Sequence, residues 1–121
     1  MREKTNVYFL AEITRGLGTG DCILLENIDS NGIIRHALID NGNYITGGVV
    51  CPFLEKHNVK KLEFICITHC HSDHNGHTIT VLEKYKVDLI IMKEFDNYWS
   101  SNIGYQSMYE MIIVKIIEKD I

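Results

Sequence analysis

The sequence lacks an excess of positive charge, a long apolar run and any proline-rich linker, since only one of its 121 residues is proline. Its 12 lysines and arginines are outnumbered by 16 aspartates and glutamates, so no global positive field attracts nucleic acid. A metal-centred nuclease is still compatible with this charge, because a bound cation can itself recruit phosphate. No stretch is long enough to span a bilayer or to form the apolar core of a signal peptide. We therefore expect a cytoplasmic protein with no membrane contact.

The alternation of apolar and polar residues predicts three strands followed by alternating helices and strands. Strands are predicted over residues 6–13, 22–26, 33–39, 62–68 and 87–92, with a turn at 29–32 (Asp-Ser-Asn-Gly). Helices are predicted from about residue 46 or 47 to 57, from 75 to 85 and from 105 to 119. Residues 62–68 are almost all apolar, which is typical of a buried central strand. The pattern indicates one α/β domain whose functional loops lie at strand ends.

The densest group of potential ligands follows that central strand directly. His69, His71, Asp73 and His74 stand within six consecutive positions. Without a cation, each of these groups would need its own hydrogen-bond partner within one tight turn, which is costly if the turn is buried. Imidazole and carboxylate together suit a borderline divalent ion such as zinc. The segment is therefore predicted to bind a metal, with an ordinary solvated loop as the alternative.

Nearby histidines and cysteines have plainer interpretations. Cys70 could touch the metal, but if residues 69 and 71 face one way, the side chain of Cys70 faces the other. His77 stands on the same face as His74 at the start of the predicted helix and is interpreted as a surface residue. His36 and His57 have no companions and are interpreted as ordinary strand and helix-end residues. Two further cysteines in apolar runs, which do not form a Cys-x-x-Cys pair, are predicted to be small core residues: Cys22 and Cys66.

The order of a strand, then His-x-His-x-Asp-His, then a helix resembles the metallo-β-lactamase superfamily. Residues 18–21 (Gly-Thr-Gly-Asp) before a strand, 40–42 (Asp-Asn-Gly) after one and 65–69 (Ile-Cys-Ile-Thr-His) leading into the motif are similar to its landmarks. The resemblance covers about residues 6–92. Within the superfamily, the combination most resembles the branch that includes the ComEC-type DNA-uptake proteins and related small hydrolases.

The resemblance implies a role for each residue of the motif. His69 and His71 would bind a first metal ion, and Asp73 and His74 a second, with a bridging water as the nucleophile. Asp73 would also act as the catalytic residue that orients this nucleophile. The implied cofactor is one or two Zn²⁺ ions, with Mn²⁺ or Fe²⁺ as alternatives. Flavodiiron relatives place a glutamate where His71 stands, so the histidine favours zinc hydrolysis over diiron redox chemistry.

Asp40 resembles the acid that, in this superfamily, holds the ligand loop in place from behind the ligands. Its plainer interpretation is an aspartate that caps the turn formed with Asn41 and Gly42. Both interpretations are compatible with the sequence.

The resemblance also implies a second half-domain that these residues lack. Full members repeat the sheet-and-helix unit and draw from it a further histidine, a bridging aspartate and a last histidine, whereas His77 is the last histidine of this sequence. We therefore expect residues 1–121 to form the N-terminal half of a metallo-β-lactamase-like αββα sandwich, with a mixed sheet and flanking helices. Such a half should expose a broad apolar sheet face, which favours contact with the missing half-domain or with a second copy.

Two functions of different classes follow from these observations. The first is a metal-dependent hydrolase acting on a small-molecule or phosphodiester substrate. The second is a catalytically silent metal-binding or interaction module derived from such an enzyme. In either case, an incomplete domain is expected to show little turnover on generic phosphodiester, lactam or thioester substrates.

Overall fold

The computed structural model describes residues 2–10, 22–41, 50–68, 78–92 and 103–121, and for residues 103–108 it describes the backbone only. The elements alternate between strands and helices as the sequence pattern predicts. In chain order they are β1 (Lys4–Phe9), β2 (Ile23–Ile28), β3 (Ile34–Ile39), α1 (Val50–Lys56), β4 (Lys61–Leu62), β5 (Ile65–Ile67), α2 (Thr78–Lys84), β6 (Lys86–Val87), β7 (Ile90–Met92) and α3 (Ile103–Glu118). Within the described ranges, no helix is long and apolar enough to cross a bilayer.

Five strands form one mixed sheet in the order β1-β2-β3-β5-β7. Antiparallel pairing joins β1 to β2 and β2 to β3, whereas β3, β5 and β7 run parallel to one another. Parallel strands end at the same edge of a sheet, so β3 and β5 deliver the residues that follow them to neighbouring positions. Those residues are Asp40 after β3 and Thr68 after β5.

Two predicted strands are each divided in the structure. Residues 62–68 were expected to form one strand, but β4 pairs with β6 in a separate two-stranded sheet, while β5 joins the main sheet. Residues 87–92 are divided in the same way between β6 and β7. At the two breaks, the Glu63 amide donates to the His36 carbonyl at 2.7 Å and the Asp88 amide donates to the Leu62 carbonyl at 3.1 Å. The single-strand predictions were wrong because Leu62 and Val87 continue the apolar pattern of β5 and β7, and apolar pattern alone does not show which sheet a residue joins.

Helix bounds also differ slightly from the sequence-based ones. Helix α1 begins at Val50, with Pro52 in its first turn, where the missing amide hydrogen costs no helical hydrogen bond. It ends at Lys56, and Asn58 then adopts a left-handed conformation with φ of 57°, which is typical of a helix cap. The Val59 amide donates to the Leu54 carbonyl at 3.0 Å and closes this cap. The predicted helix residues 46–49 and 75–77 lie outside the described residues.

The core lies on one face of the main sheet, which the three helices cover. Leu24, Leu38 and Ile65 point to this face from three adjacent strands and are fully buried. Fully buried side chains from each helix pack against them: Leu54 of α1, Val81 and Leu82 of α2, and Ile112 of α3. Alternation along the strands therefore directs one set of side chains into the core and the other set to the opposite face.

A partly buried polar network lies on the same face, at the end of the sheet away from Asp40. Glu26 of β2 stands opposite His36 of β3 in the antiparallel register, and His36 Nε2 lies 2.9 Å from Glu26 Oε2. Asn6 Nδ2 and Tyr8 Oη donate to Glu26 Oε1 at 3.0 and 3.3 Å. Burial raises the pKa of Glu26, but the hydrogen bonds from His36, Asn6 and Tyr8 and the charge on His36 outweigh burial and hold it below its usual value. His36 therefore has a partner that sequence spacing does not reveal.

This network should make stability depend on pH. The pKa of Glu26 is lower in the folded than in the unfolded chain. The stabilisation that ionised Glu26 provides is therefore fully present at pH values above the pKa of an ordinary glutamate, and it is lost as the pH falls through the pKa of Glu26 in the folded chain. We expect Glu26→Gln to reduce the free energy of unfolding by about 1 kcal/mol at pH 7, with the difference from wild type shrinking toward pH 3. Urea denaturation at several pH values measures this difference. The matched control is Glu63→Gln on the surface, and an equal pH dependence in both variants would contradict the prediction.

Candidate metal centre

The predicted ligands follow β5 and precede α2. His69, His71, Asp73 and His74 lie outside the described residues, as do Cys70 and His77. The structure describes both flanks of this segment, Thr68 at its start and Thr78 at its end, together with Asp40. The structure therefore describes the residues that border and hold the ligand segment, which we call its anchors.

Asp40 anchors the start of the ligand segment. It follows β3 directly, is 3% exposed and has a left-handed φ of 56°, which aspartate tolerates better than most residues. Its amide donates to the Cys66 carbonyl at 2.9 Å. Its Oδ1 accepts from the Thr68 amide at 2.9 Å, and its Oδ2 accepts from Thr68 Oγ1 at 2.6 Å. Both carboxylate oxygens thus hold the residue immediately before His69, and bonds to a carboxylate are stronger than neutral ones.

Asn41 anchors the other end of the segment. Its side chain is fully buried, and Asn41 Nδ2 donates to Thr78 Oγ1 at 2.6 Å. Thr78 is itself fully buried and is the first residue of α2. Two consecutive residues, Asp40 and Asn41, therefore hold the positions on either side of residues 69–77. From the sequence, Thr78 has no predicted role and Asn41 is predicted only as part of the turn after Asp40, because the contact between them joins residues that are far apart in the sequence.

The negative charge of Asp40 affects the pKa of two nearby cysteines, Cys22 and Cys66. Burial raises the pKa of the Cys22 thiol to about 12, and the Asp40 carboxylate adds to this shift. The same two causes raise the pKa of Cys66. Both side chains are therefore neutral thiols at physiological pH, and the thiolate form that binds metal is disfavoured. Cys22 is a core residue as predicted, whereas the prediction for Cys66 was wrong, because Cys66 is half-buried on the face opposite the core.

The donor set of the segment fits a divalent metal ion. Three imidazoles and one carboxylate supply the nitrogen and oxygen ligands that zinc takes in proteins. In the part of the chain that the structure describes, no group of three or more His, Cys, Asp or Glu side chains is close enough to hold a metal. The predicted ligand set is His69, His71, Asp73 and His74, and its assignment stays a prediction.

The model of the metallo-beta-lactamase superfamily matches residues 4–119. The chain belongs to this superfamily. The resemblance in its sequence is therefore confirmed, while its place in a particular branch stays a prediction.

Two similar proteins are each covered only in part by this chain. A UPF0173 metal-dependent hydrolase from Koribacter versatilis (strain Ellin345) is 33% identical over 76 residues, which are 63% of this chain and 31% of that protein. The crystal structure of a metallo-beta-lactamase-type protein from Thermotoga maritima has a TM-score of 0.57 at 16% identity, covering 95% of this chain and 56% of that one. The second similarity confirms the metallo-β-lactamase-like α/β fold. The chain spans about a third of the curated relative and somewhat over half of the solved structure, and its identity as an N-terminal half-domain stays a prediction.

Proposed function

We propose that this chain carries the metal-binding part of a metal-dependent hydrolase. In this proposal, His69, His71, Asp73 and His74 hold one or two zinc ions, and Mn²⁺ or Fe²⁺ would suit the same donors. The observation that carries the proposal is the double anchoring of residues 69–77 by Asp40 and Asn41. Membership of the superfamily and similarity to a protein named as a metal-dependent hydrolase support it.

The anchors matter because ligands that are held near their bound positions before the ion arrives bind it more tightly. Closely spaced imidazoles and carboxylates lose conformational freedom when they converge on a cation, and a loop with fixed ends has less freedom to lose. Asp40 holds the backbone amide and the hydroxyl of Thr68, which sets the direction in which the chain leaves β5. Asn41 holds Thr78 and so sets where the segment re-enters the helical layer. We therefore propose that both are positioning residues for the ligand segment.

When bound, the metal would supply a water of lowered pKa and a Lewis acid for the oxygen of the bond under attack. Asp73 would orient the attacking water by accepting a hydrogen bond from it, which is the role that the resemblance implies. The described residues are not needed as proton donors in this scheme, because their contribution is to hold the segment. The substrate is proposed to be a phosphodiester or a small molecule with a hydrolysable carbonyl.

Zinc titration of the demetallated chain tests the proposal. We expect saturable binding of one or two zinc ions with a dissociation constant of about 1 μM or below, measured by calorimetry. The same protein is then incubated with a nitrophenyl phosphodiester, a chromogenic lactam and a thioester. We expect turnover to be low, because the chain spans only part of its relatives, and to disappear on chelation.

The outcomes separate the two functional classes. Low but zinc-dependent cleavage that is lost in Asp73→Asn would support the hydrolase. Zinc binding with no cleavage of any substrate would favour the silent metal-binding or interaction module. A chain that does not bind zinc saturably would refute both forms of the proposal.

A further inference from the structure

A cavity of about 370 Å³ opens on the helical side of the main sheet, at the end away from Asp40. Its walls are formed by β2, by β3 and by the segment that leads from α1 into β4. Glu26 and His36 line the cavity from the two strands, and His57 and Lys60 line it from the segment. The volume lies within the range of small-molecule sites. None of these residues belongs to the candidate metal centre, which lies at the other end of β3.

The hydrogen bonds of Glu26 determine which ring nitrogen of His36 is available to a ligand. The lowered pKa of Glu26 keeps its carboxyl group ionised at neutral pH, and a carboxylate can only accept hydrogen bonds. His36 Nε2, which lies 2.9 Å from Glu26 Oε2, must therefore be the donor. Nδ1 of His36 has no partner among the described residues, where every fully buried side-chain nitrogen and oxygen has one. Nδ1 is therefore in contact with solvent, and the open space beside His36 on this face of the sheet is the cavity.

The opposite wall carries hydrogen-bond donors that the rest of the described chain does not use. Lys60 forms no ion pair with another described residue. The ring of His57 packs against Tyr8 and Phe53, with centroids 4.1 and 4.9 Å away, and its nitrogens form no hydrogen bond within the described ranges. An imidazole keeps at least one N–H in either protonation state, and an ammonium group has three. Such donors suit a carboxylate, because hydrogen bonds that involve charged groups are the stronger ones.

We propose that this cavity binds a small carboxylate that carries a hydroxyl group at its other end. The carboxylate accepts hydrogen bonds from Lys60 and His57. The hydroxyl meets Nδ1 of His36, and it fits this atom in both states of the ring because a hydroxyl can donate as well as accept. Ile34, which is 54% exposed and lines the same cavity, provides apolar surface for the body of the ligand. A cation is disfavoured, because both oxygens of Glu26 already accept hydrogen bonds from three side chains.

The size and chemistry of the cavity favour a free ligand over another segment of polypeptide. A helix is about 10 Å across and does not fit into a space of this volume. A single acidic side chain inserted from elsewhere would bring a carboxylate, but it would leave Nδ1 of His36 without a hydroxyl group. A small hydroxy acid supplies both groups at once.

Binding of 4-hydroxybenzoate to the full chain tests this assignment. We expect saturable binding with a dissociation constant of about 1 mM or below, measured by calorimetry, and shifts of the His36 and His57 ring protons in NMR spectra. The uncharged 4-hydroxybenzamide should bind about 10-fold more weakly or worse, and benzoate, which lacks the hydroxyl, about 5-fold more weakly. The affinity should be the same in the zinc-loaded and the demetallated chain, which excludes binding of the carboxylate to zinc.

Three variants locate the site on the protein. Lys60→Met removes the charge, and His57→Phe removes the ring N–H while keeping an aromatic ring in place; they should raise the dissociation constant about 10-fold and about 5-fold. Lys56→Met is the matched control, since Lys56 ends α1 without lining the cavity, and it should leave the constant unchanged. Circular dichroism verifies that each variant is folded, and Lys60→Met, on the surface, decides the result if His57→Phe does not fold.

Several results would overturn the proposal. One is a wild-type chain that does not bind 4-hydroxybenzoate saturably at about 10 mM. Equal affinity for 4-hydroxybenzamide would show that no anion is recognised, and equal affinity for benzoate would remove the role of His36. Weakening in Lys56→Met as large as that in Lys60→Met would mean that only the overall charge matters. NMR shifts confined to residues outside the cavity would assign the binding to another surface.

Discussion

Replacing both His69 and Asp73 with alanine is expected to remove bound zinc from the chain. The two residues belong to the two implied metal positions, so the double variant removes a ligand from each. With the remaining donors divided between two incomplete sets, zinc content after gel filtration should fall from at least about one ion per chain to below about 0.1. Elemental analysis of the purified protein measures this directly.

The matched control removes the same two residue types outside the motif. His57 packs against Tyr8 and Phe53 with ring centroids 4.1 and 4.9 Å away, and Asp88 pairs with Lys61 on the surface at 2.8 Å. The His57→Ala and Asp88→Ala double variant should therefore lose some stability but keep its zinc. An unchanged zinc content in the His69 and Asp73 double variant would show that the metal is bound by other residues.

The second large effect is expected at Asp40. Asp40→Ala removes both hydrogen bonds to Thr68 and places alanine at a φ of 56°, where a β-carbon is unfavourable. We expect the free energy of unfolding to fall by about 2 kcal/mol and the zinc affinity to fall about 10- to 100-fold. Thermal or urea unfolding of the metal-free chain measures the first effect, and calorimetric zinc titration measures the second.

Asp40→Asn is the matched variant for this position. Asparagine tolerates the left-handed conformation. Its side-chain oxygen can accept from the backbone amide of Thr68 while its side-chain nitrogen donates to Thr68 Oγ1. It should keep most of the stability and most of the zinc affinity. A zinc affinity in Asp40→Ala equal to that of wild type would favour the plainer interpretation of Asp40 as a turn residue.

Local and periodic features of the fold could be predicted from the sequence. The turn at residues 29–32 is an example, because the Asp29 carboxylate accepts from the Asn31 and Ile33 amides at 2.8 and 3.0 Å and Gly32 takes a positive φ of 81°. Turn residues act on their own neighbours, so their chemistry is visible in a short window. The superfamily was also predictable, because residues 69–74 and the landmarks around them form a specific pattern in a specific order.

Contacts between residues that are distant in sequence could not be predicted in the same way. Asn41 and Thr78 are separated by 37 positions, and their hydrogen bond depends on how β3 and α2 pack rather than on either local sequence. Glu26 and His36 meet because of the register of β2 against β3. The division of residues 62–68 into two sheets depends on which neighbour each half finds, and this is again a property of the whole fold.

The adjacency of Asp40 and Asn41 has a consequence for how fast a metal could be exchanged. Because neighbouring residues of one strand end hold both flanks of residues 69–77, the flanks cannot separate without disrupting the end of β3. Loss of either hydrogen-bonded anchor would free one flank while the other stays held. We expect Asn41→Ala to speed zinc release into a chelator even where equilibrium occupancy changes little, because it frees one of the two fixed points.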